Sequence, residues 1–269
     1  MSPSSRDWDS GPGADAEPGS DDRPPRSGAL ERADAILGAF DGKHRELSLT
    51  ALVRRSGLPR STTHRTAETL MRLGWLDKPG SNYRIGNRLF QISGLAPVRH
   101  QLRETVLPFL QDLYAATRLT VQLGVLDGTQ VLVVEQISGH RPMPMLSQVG
   151  GFVPAHCSAL GRAMLAYSAP EVIDAVAEAG MEARTARTIT TATGLKRELA
   201  VIPHRGWALD HEEGKVGVSC IAGPIFGPEG EVAAALSITG PTSLVRAERV
   251  GPAVRLAAAA ATRAYYTRR

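Results

Sequence analysis

The stretch Arg60-Ser61-Thr62-Thr63-His64-Arg65 combines two guanidinium groups with three hydroxyls, directly after Gly57-Leu58-Pro59. Arg on the opening turns of a helix suits the major groove of B-DNA, where each base pair presents its own donor and acceptor pattern and guanine accepts two bonds from one guanidinium. Hydroxyls suit phosphate oxygens or base edges. Arg65 is therefore the candidate for base readout, with Arg60, Ser61 and Thr62 beside it and Thr69 further along the same face. Lys78 and Arg84 lie beyond that segment and are candidates for neighbouring phosphates. Solvated charges on an ordinary exposed helix are the bland alternative, which does not account for the order of elements around them. His64 could touch DNA or pack, and no role is assigned to it.

Further along, several groupings invite an enzymatic reading. His156 beside Cys157 resembles a thiol-imidazole pair, but adjacent residues rarely direct both side chains at one atom. Gly217-Val218-Ser219-Cys220-Ile221 follows a nucleophile elbow until its last position, which that motif requires to be Gly. Seven His and two Cys lack paired metal spacing, and no Gly-rich phosphate loop is present, so neither a metal nor another cofactor is expected. Cys220 opens an apolar strand and reads equally as a core thiol or a pocket-lining one. Ser237 and Thr239 alternate within an apolar strand, which puts both hydroxyls on one face. That pattern fits a few polar groups converging inside an apolar pocket.

The elements that position these groups are legible from periodicity and punctuation. Leu30, Ala33, Ile36, Leu37 and Phe40 recur at helical spacing within residues 29–40. Ser48 is a suitable N-cap for a helix ending at Gly57, and a second helix follows Pro59 and ends near Gly74. Helix, short Gly-containing turn and helix make a helix-turn-helix. Residues 75–77 and 83–85 alternate like two strands around Pro79-Gly80, giving a hairpin wing. Residues 95–117 read as a linker helix with Leu102, Val106, Phe109, Leu110 and Leu113 on one side. Beyond it, strands at 121–126 and 131–136 flank Asp127-Gly128, a tight-hairpin signal. A second strand pair, 220–226 and 232–239, flanks residues 227–230. Helices are expected at 158–167, 170–179, 195–204 and 245–266. A mixed or antiparallel sheet covered by helices, an α+β architecture, is the simplest layered solution.

Composition fits this division. At 269 residues with 42% hydrophobic and 22% charged side chains, the chain can bury a substantial core. No run of 18 apolar residues is present, so no membrane span is expected. Residues 1–28 lack an apolar segment of secretory type, so the chain is expected in the cytoplasm. Residues 1–27 carry three Arg against six acids, a balance of −3, and are expected to be a disordered tail. Residues 28–96 carry eleven Lys or Arg against six acids, a balance of +5, the asymmetry of a nucleic-acid reader with a separate second domain.

Several separated motifs, in order, resemble the IclR family of bacterial transcriptional regulators. They are Glu31-Arg32-Ala33 with Ile36-Leu37, Gly57-Leu58-Pro59-Arg60-Ser61-Thr62 with Arg65, Leu73-Gly74-Trp75-Leu76 and Tyr83-Arg84-Ile85-Gly86. In the C-terminal half the resemblance rests on Pro154 with His156, the run Ser158-Ala159-Leu160-Gly161-Arg162-Ala163, Arg205-Gly206-Trp207-Ala208, Cys220-Ile221-Ala222-Gly223-Pro224 and Ala235-Leu236-Ser237-Ile238. It implies a winged helix-turn-helix domain over 28–93, a linker helix over 94–117 used for dimerisation, and a GAF-like effector-binding domain over 118–269. Implied partners are double-stranded palindromic operator DNA, a small organic acid, and further copies of the chain in a homodimer or homotetramer. By resemblance the effector contacts fall to Met145, Ala159, Leu160, Asp210, Val218, Cys220, Ser237 and Thr239. Thr66-Ala67 stands where many members carry a bulky aliphatic pair, and Leu160 where some carry a small residue. The rival reading is an enzyme or sensor acting through the C-terminal domain, with DNA binding secondary.

Overall fold

Local chemistry sets the first helices. In the computed structural model, which describes residues 28–42, 44–95, 97–140 and 148–267, α1 (Ala29–Leu37) precedes a short strand β1 (Glu46–Ser48). The Ser48 hydroxyl accepts from the Ala51 N–H and opens α2 (Leu49–Ser56), which closes on Gly57 at φ +70°. That left-handed conformation costs Gly no steric penalty. The helix α3 (Arg60–Arg72) starts behind Pro59 without a side-chain cap, and the Thr63 hydroxyl, inside its first turn, instead donates to the carbonyls of Leu58 and Pro59. Ile36, Leu52, Ala67, Leu70, Leu76 and Tyr83 form the small core beneath these helices.

The wing has three strands. β2 (Leu76–Asp77) and β3 (Asn82–Ile85) form the expected hairpin, and β1 pairs antiparallel with the other edge of β3, giving the order β1-β3-β2. A short helix α4 (Asn87–Ser93) follows, absent from the sequence reading, and the long helix α5 runs over Pro97–Thr117. The tail 1–27 lies outside the described residues.

Six strands build the second sheet, antiparallel throughout, in the order β6-β5-β4-β9-β8-β7. They are β4 (Thr120–Asp127), β5 (Gln130–Ile137), β6 (Phe152–Pro154), β7 (Ala208–His211), β8 (Val218–Phe226) and β9 (Val232–Pro241). Asp127 pairs with Gln130, so the β4–β5 turn is Gly128-Thr129, one residue beyond the expected Asp127-Gly128. One sheet face packs Val121, Leu123, Ile221, Leu236 and Ile238 against α5 and the last helix α9 (Ala247–Thr267). On the opposite face lie α6 (Ala159–Leu165), α7 (Pro170–Glu178) and α8 (Ala192–Arg205). Helix, sheet and helix thus form three layers with two apolar cores.

Two glycines let α6 lie close to the sheet. A Cβ on Gly161 would sit 2.3 Å from the Ala155 carbonyl oxygen, and one on Gly124 would sit 2.6 Å from Val131 Cγ1 and 3.2 Å from Leu160. The three atoms that a Cβ on Gly161 would meet first all belong to the Ala155 backbone, which cannot rotate away. We expect Gly161→Ala to destabilise the protein by about 1 to 3 kcal/mol through overpacking. Urea denaturation checks this, and an unchanged midpoint would mean that α6 lifts freely from the sheet.

Candidate functional site

The α3 surface divides by helical period. Thr63, Ala67 and Leu70 are buried, whereas Arg60, Ser61, His64, Arg65, Glu68 and Thr69 are exposed. Arg60 and Arg65 make no ion pair with any described residue. Thr62 is half-buried. The Thr69 hydroxyl donates to the Arg65 carbonyl at 3.0 Å and accepts from Arg72, so its bonding is local. On the wing, the Lys78 ammonium stands 4.8 Å above the Tyr83 ring, and Arg84 lies 3.6 Å from Asp77 on the paired strand. Exposed pairs of this kind are weak and yield readily to a phosphate.

A second site lies between α6 and the large sheet. Gln122, Val153, Ser158, Ala159, Leu160, Asp210, Lys215, Val218, Cys220 and Thr239 line a small, partly enclosed recess. Six of the residues assigned from the sequence resemblance meet there: Ala159, Leu160, Asp210, Val218, Cys220 and Thr239. Ser237 does not reach the wall. It is fully buried one alternation deeper along β9, where its hydroxyl approaches Cys220 without making a hydrogen bond of normal geometry. Met145 lies outside the described residues. Gln122, Val153, Ser158 and Lys215 were not foreseen as lining residues.

The electrostatics of the recess are set by one loop. Asp210 shares the buried face of β7 with Ala208, and after the strand the chain turns at Glu212, held at φ +62°, to bring in the buried Glu213. Arg162 of α6 is fully buried and forks onto Glu213, with Nη1 to Oε2 at 2.7 Å and Nη2 to Oε1 at 2.6 Å, and it also donates to the Leu209 carbonyl. Asp210 is 4% exposed, and its Oδ1 accepts from the Glu213 N–H at 2.7 Å and from Gly214. Its Oδ2 has no hydrogen-bond partner among the described residues. Burial pushes this carboxyl up to about 6, against the pull of the backbone N–H groups and Arg162.

The thiols are poor nucleophiles here. Burial pushes Cys157 up to about 11 and Cys220 up to about 12, and the Thr239 hydroxyl donates to the Cys220 sulfur at 3.0 Å. His156 is buried, bonded to the Glu182 carbonyl at 3.2 Å, and held below its usual value by desolvation. Thiolate chemistry needs the opposite environment. Ser158 spends its hydroxyl on capping α6 through the Gly161 N–H.

Asp210 carries a measurable signature. A carboxyl that binds its proton more tightly in the folded chain stabilises the fold fully below its ordinary value of 3.8 and loses that contribution as pH rises through about 6. Relative to Asp210→Asn, the wild-type protein should therefore lose up to about 3 kcal/mol of stability between about pH 4 and pH 7. Urea unfolding at stepped pH checks this; parallel stability curves for the two proteins would place Asp210 in a polar, solvated setting.

Comparison with known proteins covers nearly all of the described chain. Residues 29–80 match the IclR helix-turn-helix domain, and residues 96–264 match the bacterial transcriptional regulator IclR C-terminal domain. The transcriptional repressor IclR of Escherichia coli is 34% identical over 245 residues, covering 88% of this chain and 89% of that protein. The regulator XynR of the same organism is 32% identical over 220 residues, covering 81% and 87%. Among solved structures, an IclR homologue from Microbacterium hydrocarbonoxydans complexed with 4-hydroxybenzoate superposes with a TM-score of 0.80 at 28% identity, covering 88% of this chain and 99% of that one. The Thermotoga maritima IclR structure gives 0.70 at 25% identity, covering 88% and 97%.

Proposed function

The chain belongs to the IclR family of DNA-binding bacterial transcriptional regulators, and from that premise we propose that it binds a palindromic operator as a homodimer or homotetramer under the control of a small organic acid. The observation that carries the operator half is the face of α3. Arg60 and Arg65 stand exposed without an ion-pair partner among the described residues while the opposite face is buried, so their guanidinium groups are available to base edges and phosphates. The wing brings Lys78 and Arg84 to the flanking backbone. Such a protein works beside the chromosome, in the cytoplasm, and catalyses no reaction.

The effector half rests on the recess. Apolar Val153, Leu160 and Val218 form its walls, and a few polar groups punctuate them, the usual make-up of a small-molecule site. The related Microbacterium protein, solved with 4-hydroxybenzoate, gives a reason to start a ligand search with carboxylic acids. Effector binding controls DNA affinity only in so far as it favours one arrangement of the protein over another.

The dimer half rests on apolar exposure. Phe90 and Leu95 are each 80% exposed, and Leu30, Leu73 and Ile92 are exposed as well. Large apolar groups exposed on α1, at the end of α3 and at α4 call for a covering surface, and a second copy supplies a self-complementary one.

Two predictions follow from this division. Arg65→Ala should reduce discrimination at one operator base pair by roughly 1 to 3 kcal/mol, whereas Lys78→Ala should weaken binding evenly across sequences. Titration over operator variants separates them, and an even loss for Arg65→Ala would remove it from base readout. Phe90→Asp should raise the dimer dissociation constant at least about tenfold, since a buried aromatic anchor becomes a desolvated charge. Sedimentation analysis reads this directly, and an unchanged association state would move the interface away from α4.

A further inference from the structure

Arg outnumbers Lys 27 to 4 in this chain, yet the cation on the recess wall is a lysine, Lys215. It sits on the β7–β8 loop, half-buried, five residues after Asp210. A second cation behind the recess, Arg162, directs both Nη atoms at Glu213 and the Leu209 carbonyl. No described carboxylate lies within ion-pair distance of the Lys215 ammonium. Asp210, the only acid on the wall among the described residues, spends Oδ1 on two backbone N–H groups and leaves Oδ2 without a described partner.

Resting on the organic-acid reading above, we propose that Lys215 anchors the effector's carboxylate and that Asp210 Oδ2 accepts a hydrogen bond from a hydroxyl elsewhere on the same molecule, so that the site selects hydroxy-carboxylic acids. A compact ammonium offers a point charge suited to one carboxylate. An anion of higher charge meets a single cation and the opposing Asp210 carboxylate, which disfavours phosphates and dicarboxylates. An acid without a hydroxyl leaves Asp210 Oδ2 desolvated and unpaired, the costliest arrangement for a buried acceptor. The apolar walls of Val153, Leu160 and Val218 receive the carbon frame between the two ends.

The scarcity of lysine makes the idea directly readable. Reductive methylation with ¹³C-formaldehyde keeps the charge and labels Lys43, Lys78, Lys196 and Lys215, plus the N-terminal amine, and Lys215→Arg assigns the signal of interest. The probes are 4-hydroxyphenylacetate, phenylacetate and 4-hydroxyphenylacetamide, titrated to tens of millimolar. The Lys215 signal should move saturably with both acids, with roughly tenfold weaker affinity for phenylacetate, and should stay still with the amide. By calorimetry on unmethylated protein, Lys215→Met should weaken 4-hydroxyphenylacetate binding at least about tenfold. Lys196→Met should not, because Lys196 pairs with Asp174 between α8 and α7, away from the recess. Acid binding that leaves the Lys215 signal and Lys215→Met unaffected overturns the anchor while the organic-acid reading stands. No saturable binding of either acid overturns both. Equal response to acid and amide overturns charge recognition, and equal affinity for the two acids overturns the role of Asp210.

Discussion

Buried beyond the reach of water, the Arg162 guanidinium must find its hydrogen bonds inside the protein, and the C-terminal half is arranged around that demand. Its Nε has no partner among the described residues, but both Nη atoms are satisfied by Glu213, and one also by the Leu209 carbonyl. The fork joins α6 to the end of β7 and to the loop that follows, two segments about fifty residues apart. Removing one partner of such a pair typically costs about 3 to 5 kcal/mol, because the other charge is stranded in low dielectric. The pair therefore acts as a clamp on geometry: α6 cannot shift without breaking it. Gly161, lying against the Ala155 backbone, fixes the same helix from the other side.

What the clamp positions is the recess. Strand β7 and the loop after it bring Asp210 and Lys215 to the recess, while Ala159 and Leu160 come from the helix that Arg162 anchors. The strands behind the recess, β4, β8 and β9, present their opposite faces to α5 and α9. A molecule seated between α6 and the sheet thus presses on strands whose far side carries α5, the helix that follows directly on the DNA-reading half of the chain. Close-packed layers of this kind transmit small displacements because their cores have little free volume to absorb them. Coupling between effector and operator, on the function proposed here, needs no more than two arrangements of α5 that the filled and empty recess favour differently.

How much of this the sequence exposed depends on whether the signal is local. Ser48, Gly57 and the two long hairpins declare themselves within a few residues, since caps and turns are made by their own neighbours. The strands β1, β6 and β7 did not, because three or four residues have no period to read and are held by partners distant in sequence. Ser237 and Thr239 were correctly seen to share a face, but depth along that face is set by packing, which put Thr239 on the recess wall and Ser237 behind it. Arg162 offered a signal that went unused: one Arg within the otherwise apolar run Ala159–Leu165 must have a buried acid somewhere. Lys215 gave none, since a single lysine in a polar loop is ordinary until the fold closes over it.

The two halves handle charge in opposite ways, and the difference follows from solvent. On α3 and the wing the cations are numerous and exposed, in a segment of net charge +5, where each contributes little alone but the sum attracts a polyanion and weakens with salt. Among the described residues the recess wall carries one cation and one acid, both partly or wholly withdrawn from water, where a single misplaced charge is costly and a matched one is decisive. On the function proposed here, exposure makes the first surface tolerant: it holds any duplex loosely and leaves discrimination to Arg65. Burial makes the second exacting, since its lone ammonium and lone free carboxylate oxygen can be satisfied together only by a ligand bearing complementary groups at the right separation. A regulator needs both, because it must search a genome of nearly equivalent sites while responding to one small molecule among many, and here the burial of a few side chains divides the two tasks.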